Sequence, residues 1–156
     1  MKKQSTPQEL RRFLTSILVA SFVLNWLWEM VQMPAYREMA LRPWRETASL
    51  CTRATLGDVA ITLLIYATGA LAVGTLSWGL RAGWNVYSAV ALLAAMHAFW
   101  IERAAIASGR WMYILTMPVV AILKVDLWPL LQLTLLNPVT VWLSNRLSLA
   151  GQNHVT

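Results

Sequence analysis

Three long apolar stretches constrain this chain more than any other feature of its sequence. They cover residues 13–33, 55–80 and 84–107 and contain very few charged side chains. Each stretch is long enough, at about 1.5 Å per helical residue, to cross a hydrocarbon core of about 30 Å. Because a backbone inside a bilayer must satisfy its own hydrogen bonds, such stretches form helices. The sequence therefore predicts an all-α, polytopic membrane protein.

The composition excludes several other classes of protein. Apolar residues make up 58% of the chain and charged residues only 13%, against roughly 25% charged residues in a soluble domain. The net charge of +6, from 13 basic and 7 acidic residues, then indicates orientation in a membrane rather than binding to nucleic acid. We expect membrane lipid as a partner and no nucleic acid. The single cysteine, Cys51, cannot form an internal disulfide.

The last third of the chain is less regular. Residues 112–123 are apolar but too few to span a bilayer as a helix, and Pro118 interrupts them. We interpret them as a re-entrant or interfacial segment that leads into a fourth span at 127–143. The whole chain, residues 1–156, then forms a single integral membrane domain, a four-transmembrane-helix bundle.

Two residues define the geometry expected of this fourth span. Asp126 directly precedes it and is a suitable N-cap, whose side chain would accept a hydrogen bond from the first turn. Pro138 lies inside it and should kink it, because proline lacks the backbone N–H of a regular helix.

The charges favour one orientation in the membrane. An even number of spans places both termini on the same side, and the two faces carry similar numbers of Lys and Arg. Six of the seven acidic residues lie at or near the face opposite the termini, where arginines can pair with them. The basic tail at residues 1–12 therefore favours termini in the cytoplasm, in a plasma (inner) membrane.

A polar stripe runs along the first span. Asn25, Glu29, Gln32 and Tyr36 follow the spacing i, i+4, i+7 and i+11, which places them on one face of a helix. An ionised carboxylate inside a membrane is costly unless it is paired, hydrated or turned into the bundle. Intramembrane carboxylates of this kind are typical of functional sites.

Two further spans are expected to bring carboxylates to the same end of the bundle. The second span runs antiparallel to the first, so Asp58 should lie at a depth similar to that of Glu29, and Glu102 lies near the exit of the third span. Paired carboxylates in different environments can divide acid and base roles. The predicted catalytic residues are Glu29, Asp58 and Glu102. The predicted substrate-binding residues are Asn25, Gln32, Tyr36, Arg103 and Arg110.

The sequence assigns neither a metal nor a cofactor. No group of cysteines and histidines has the spacing of a zinc site, and an all-oxygen metal site built from the same carboxylates is a variant of the acid–base hypothesis. His97 lies about 140° around its helix from Glu102. We interpret it as a histidine bonded within the bundle, with a proton carrier or metal ligand as the alternative.

Three functions fit these features. The first is a membrane-embedded enzyme acting on a lipid, isoprenoid or quinone-like small molecule. The second is an assembly or scaffold subunit that binds a membrane partner protein. The third is a proton-linked transporter, for which a homodimer would supply the missing walls because four short spans leave little room for alternating access.

Overall fold

The computed structural model of the chain describes residues 5–32, 42–80, 82–109, 118–120 and 122–150. In chain order the elements are α1 (Pro7–Gln32), α2 (Trp44–Val73), α3 (Trp84–Ala107), β1 (Val119–Val120), β2 (Val125–Asp126) and α4 (Leu127–Ala150). Within these residues, α1, α2 and α3 are long and apolar enough to cross a membrane. The predicted helical membrane bundle is confirmed in this coarse form, whereas α4 as a fourth span remains a prediction.

Helix α1 begins six residues before the predicted span because a capping box fixes its first turn. The Thr6 backbone N–H donates to Glu9 Oε2 at 2.7 Å, and the Glu9 backbone N–H donates to Thr6 Oγ1 at 3.2 Å. These two bonds satisfy backbone groups that a helix start leaves unpaired. Pro7, at the first helical position, needs no such partner.

Helix α2 has different limits from the span predicted at 55–80. It begins at Trp44, directly after Pro43, and ends at Val73, where Gly74 takes the left-handed conformation with φ 77°. Glycine adopts this conformation without steric cost, and it terminates helices for that reason. The connection to α3 is therefore residues 74–83 rather than a tight turn at 81–83.

The connection folds back onto α2 through one aromatic residue. The Trp78 ring stacks on Tyr66 with centroids 5.0 Å apart, and Trp78 Nε1 donates to the Tyr66 carbonyl at 3.2 Å. Tyr66 in turn donates its hydroxyl to the Leu76 carbonyl at 2.6 Å. These contacts stabilise residues 75–80 as a packed loop, although their apolar composition suggested a continuing helix.

A two-stranded β-hairpin precedes α4. Val119 pairs with Asp126, and Val120 pairs with Val125, in antiparallel register. The hairpin lies partly within the segment predicted as re-entrant or interfacial, residues 112–123, of which 111–117 and 121 lie outside the described residues. Alternation over two residues is too short a signal to predict a strand.

Asp126 caps α4, as its position predicts. Its Oδ1 accepts a hydrogen bond from the Trp128 backbone N–H at 3.0 Å, and the side chain is buried. Burial raises the pKa of Asp126 above its ordinary value, while hydrogen bonds from the backbone N–H groups of Trp128 and Leu127 oppose this rise. Pro138 lies inside α4, where the sequence places it.

The helices pack around a small apolar core near the end of the bundle that holds the 74–83 connection. Phe13 of α1 meets Tyr66 of α2 with ring centroids 5.9 Å apart, whereas polar contacts join the far end of α1 to Asp58. The two helices are therefore antiparallel. The core consists of Phe13, Ile17, Ile65, Tyr66, Val90, Ala94, Ala98, Leu133 and Val141.

Much of the apolar surface faces outward. Only 22% of the most apolar window of α1 is buried, and 28% in α2 and α3. Large side chains such as Val31, Leu71 and Trp84 are exposed. A soluble protein of this size rarely exposes so much contiguous apolar surface, whereas a lipid environment favours it.

Candidate functional site

The centre of the candidate site is the side-chain amide of Gln132, near the start of α4. Its Nε2 lies 2.9 Å from Asp58 Oδ2, 3.1 Å from Asn25 Oδ1 and 3.3 Å from Glu29 Oε1. One NH₂ group carries two protons, so the three oxygens share two donors. Gln132 thus joins α1, α2 and α4 at one point and brings the two predicted carboxylates together.

We call the side chains of Glu29 and Asp58 the acid pair. They belong to different helices, and both lie within hydrogen-bonding distance of the same nitrogen. Helix α1 presents Glu29 one turn after Asn25, and antiparallel α2 meets it at Asp58. The expectation that the two carboxylates have similar depth agrees with this geometry.

Neighbouring side chains on α1 hold Glu29 in place. Gln32 Nε2 donates to Glu29 Oε1 at 2.9 Å, and Trp28 Nε1 donates to Gln32 Oε1 at 3.0 Å. The Trp28 ring also meets Trp128 edge to face, with centroids 6.2 Å apart. Because α4 contributes both Trp128 and Gln132, the start of this helix closes over the polar end of α1.

Asn25 is the most deeply buried member of the cluster, with 1% of its surface exposed. Its Nδ2 donates to the Ser21 carbonyl at 2.8 Å and lies 3.3 Å from Ser21 Oγ. Its Oδ1 accepts from Gln132. Both ends of the amide are therefore used, which fixes its orientation at the bundle interior.

Each carboxylate of the acid pair uses only one oxygen within this network. Glu29 Oε2 and Asp58 Oδ1 accept no hydrogen bond in the described part of the chain, and neither is among its buried polar atoms without a partner. Both residues are half-buried. The second oxygen of each carboxylate therefore reaches accessible surface, where it can meet a ligand.

The described partners of the acid pair are uncharged. Within residues 5–32, 42–80, 82–109, 118–120 and 122–150, no Lys or Arg forms an ion pair with Glu29 or Asp58. The donors are side-chain amides, and two negative charges so close together in an apolar medium repel each other. The arrangement suits the binding and release of a proton or of a cationic group.

Glu102, the third predicted catalytic residue, is not joined to this cluster by a hydrogen bond among the described residues. It lies on α3 with 3% of its surface exposed, and it has an interaction of its own. Helix α3 packs against β2 and α4. The structure therefore brings together two of the three predicted carboxylates through Gln132 and holds the third on a separate helix.

The predicted binding residues also divide. Asn25 and Gln32 belong to the cluster, Arg103 is exposed on α3, and Tyr36 and Arg110 lie outside the described residues. Sequence reasoning missed Gln132, although an amide close to the capped start of the predicted fourth span was a usable signal. Its importance follows from helix rotation, which no single-span pattern contains.

Two other reactive side chains have structural surroundings. His97 Nδ1 lies 2.8 Å from the Leu93 carbonyl, four residues earlier on α3, which agrees with a histidine bonded within the bundle. Cys51 is buried in α2 with 2% exposure. In the part of the chain that the structure describes, no group of three or more His, Cys, Asp or Glu side chains could hold a metal ion.

No protein-family model, curated protein or solved structure matches the chain. The functional argument therefore depends on the acid pair and its surroundings.

Proposed function

We propose that this chain is a small integral membrane enzyme whose acid pair performs acid–base chemistry on a lipid, isoprenoid or quinone-like substrate. The observation that carries the proposal is the sharing of the Gln132 amide by Glu29 and Asp58, with a second carboxylate oxygen accessible on each. Two carboxyls with different hydrogen-bond environments can serve as acid and base at one site.

The hydrogen bonds suggest how the roles divide. Glu29 Oε1 accepts from two amides, those of Gln32 at 2.9 Å and Gln132 at 3.3 Å, whereas Asp58 Oδ2 accepts from one. Hydrogen bonds from donors favour the ionised form of a carboxylate. Glu29 therefore acts as the proton acceptor in this proposal, and Asp58 as the proton donor.

A lipid-like substrate suits the position of the site. The acid pair lies near the end of α1, and apolar side chains such as Leu27 and Val31 are exposed beside it. A substrate with an apolar tail would remain in the bilayer while its polar part meets the accessible carboxylate oxygens. Arg103 and Arg110 would attract an anionic headgroup at the rim, and the termini would lie on the cytoplasmic side of the plasma (inner) membrane.

The proposal is tested by comparing lipid and quinone profiles of cells that carry the wild-type chain, a deletion, Glu29→Gln or Asp58→Asn. We expect both substitutions to reproduce the profile of the deletion strain. Glu46→Gln is the control, because Glu46 is an exposed carboxylate in the first turn of α2. Wild-type profiles in both substituted strains, at normal protein levels, would refute the acid–base role.

A second measurement identifies the ligand class. The wild-type chain, purified in a mild detergent, should carry a bound lipid, isoprenoid or quinone that mass spectrometry detects after extraction. The Gln132→Leu variant should carry much less of it, because the amide that positions both carboxylates is lost. A stoichiometric protein partner in place of a lipid would favour the assembly-subunit alternative.

A further inference from the structure

The buried face of α4 is polar over most of its length. Asn137, Thr140, Ser144 and Ser148 are each at most 3% exposed, and their spacing places them within an arc of about 80° on the helix. We call these four residues the polar row. It extends over about 16 Å along α4, roughly half the thickness of a hydrocarbon core.

Two hydroxyls of the polar row lack partners. Thr140 Oγ1 and Ser144 Oγ are buried and form no hydrogen bond with the described residues. Elsewhere in the protein, Thr52 and Thr68 donate to the carbonyl four residues earlier, at 2.7 and 2.9 Å. The two buried hydroxyls do not use this local alternative, although their helix offers it.

A proline adds another unsatisfied acceptor to the same part of α4. Pro138 has no backbone N–H, so the carbonyl four residues earlier, that of Thr134, loses its regular helical donor. Thr134 Oγ1 is also buried without a partner. In membrane helices, water and neighbouring polar side chains commonly satisfy groups freed by proline.

Helix α2 connects the polar row to the acid pair. Thr62 follows Asp58 by one helical turn, is 3% exposed, and its hydroxyl has no partner among the described residues. Thr62 and Asn137 line the same small cavity between α1, α2, α3 and α4. A chain of polar groups therefore runs from Asp58 through Thr62 and Asn137 to Thr140 and beyond.

The far end of the chain of polar groups approaches the opposite end of the bundle. Ser148 Oγ donates to the Asn145 carbonyl at 2.9 Å, and Asn145 Nδ2 donates to the Tyr87 hydroxyl at 3.4 Å. Arg146 and Leu147, in the same turn, are exposed. This end lies near the start of α3, whereas the acid pair lies at the end of α1.

From these observations we propose that the polar row and Thr62 bind a file of internal water molecules that conducts protons between the acid pair and the opposite side of the membrane. Buried hydroxyls without protein partners are the groups that bind internal water. Proton transfer along such a file forms and breaks only O–H bonds, and each carboxyl returns to its starting state when a proton has passed. The inference goes beyond the acid–base chemistry proposed above and does not depend on its substrate.

The experiment uses the full chain in liposomes that contain a trapped pH-sensitive dye. A potassium diffusion potential, set with valinomycin, drives protons inward, and the rate of acidification is measured. We expect the wild-type protein to raise this rate at least about tenfold over protein-free liposomes. The double variant Thr140→Val, Ser144→Ala should reduce it to near the protein-free rate, because both side chains keep their size but lose the water-binding oxygen.

Two further variants separate a conduction effect from a folding effect. Asp58→Asn should abolish the flux while keeping side-chain shape, whereas Thr68→Val, which removes a hydroxyl already bonded to its own helix, should leave it unchanged. Thermal unfolding of each variant checks that the fold is retained. A wild-type rate equal to that of protein-free liposomes, or an unchanged rate in the double variant, overturns the proposal. Neither result bears on the lipid profiles that test the enzymatic proposal.

Discussion

Gln132 donates a hydrogen bond to Asp58 at 2.9 Å, across 74 residues of sequence. The same nitrogen lies within bonding distance of Asn25 and Glu29, so one neutral amide ties three helices together at the polar end of the bundle. In an apolar medium such a donor is hard to replace, because its acceptors have no water to turn to. This contact accounts both for the placement of the acid pair and for part of the stability of the bundle.

The first prediction concerns stability at this contact. Gln132→Leu should lower the free energy of unfolding by about 2 kcal/mol, because Asp58 Oδ2 and Asn25 Oδ1 lose their donor. Unfolding in mixed micelles, followed by circular dichroism, measures the change. Gln8→Leu on the exposed start of α1 is the matched control, with an expected effect within about 0.5 kcal/mol. Equal effects of the two substitutions would contradict a structural role for Gln132.

The second prediction compares two glycines of α2. A Cβ at Gly69 would overlap the Trp78 ring, whereas one at Gly57 meets nothing within 4 Å. Gly69→Ala should therefore displace the 74–83 connection and destabilise the protein by about 1–3 kcal/mol. Gly57→Ala should be neutral or stabilising by up to about 1 kcal/mol, because alanine favours a helix. Thermal unfolding of the two variants checks this, and a loss of stability at Gly57 that matches Gly69 would contradict it.

The third prediction concerns pH and Asp126. Because burial raises the pKa of this carboxyl in the folded state, the folded protein binds its proton more tightly than the unfolded chain does. That stabilisation is complete below the ordinary aspartate pKa of 3.8 and is lost as the pH rises through the folded-state value. Asp126→Asn, which can still cap α4, should lack this dependence.

The measurement for Asp126 is the difference in unfolding free energy between the wild type and Asp126→Asn across a pH series. The wild type should lose stability relative to the variant as the pH rises above 3.8. A difference that stays constant, or that changes in the opposite direction, would show that burial does not govern this carboxyl.

The fourth prediction concerns orientation in the membrane. In a Cys51→Ser background, a cysteine introduced at Gln8 should resist a membrane-impermeant maleimide in intact cells and react after permeabilisation. A cysteine at Glu46, near the opposite face, should react in intact cells. Both native side chains are in accessible first turns of their helices. The reverse labelling pattern would place the termini outside the cytoplasm.

Local patterns predicted much of what the structure contains. The three apolar stretches yield three helices of sufficient length and apolarity to cross a membrane, because helix formation in an apolar medium depends on nearby residues. The i+4 and i+7 spacing of Asn25, Glu29 and Gln32 places them in one cluster, and Asp126 caps the next helix. These features depend on residues within one or two turns of each other.

Other features depend on how the helices pack, and the tertiary structure alone decided them. Apolar composition continues past Val73, yet Gly74 ends α2 and Trp78 returns to stack on Tyr66. Gln132 meets Glu29 across 103 residues because α4 is rotated to present its amide to α1 and α2, while Glu102 stays outside that hydrogen-bonded network. Helical periodicity specifies which residues share a face, but the neighbour of that face follows from the packing of the whole bundle.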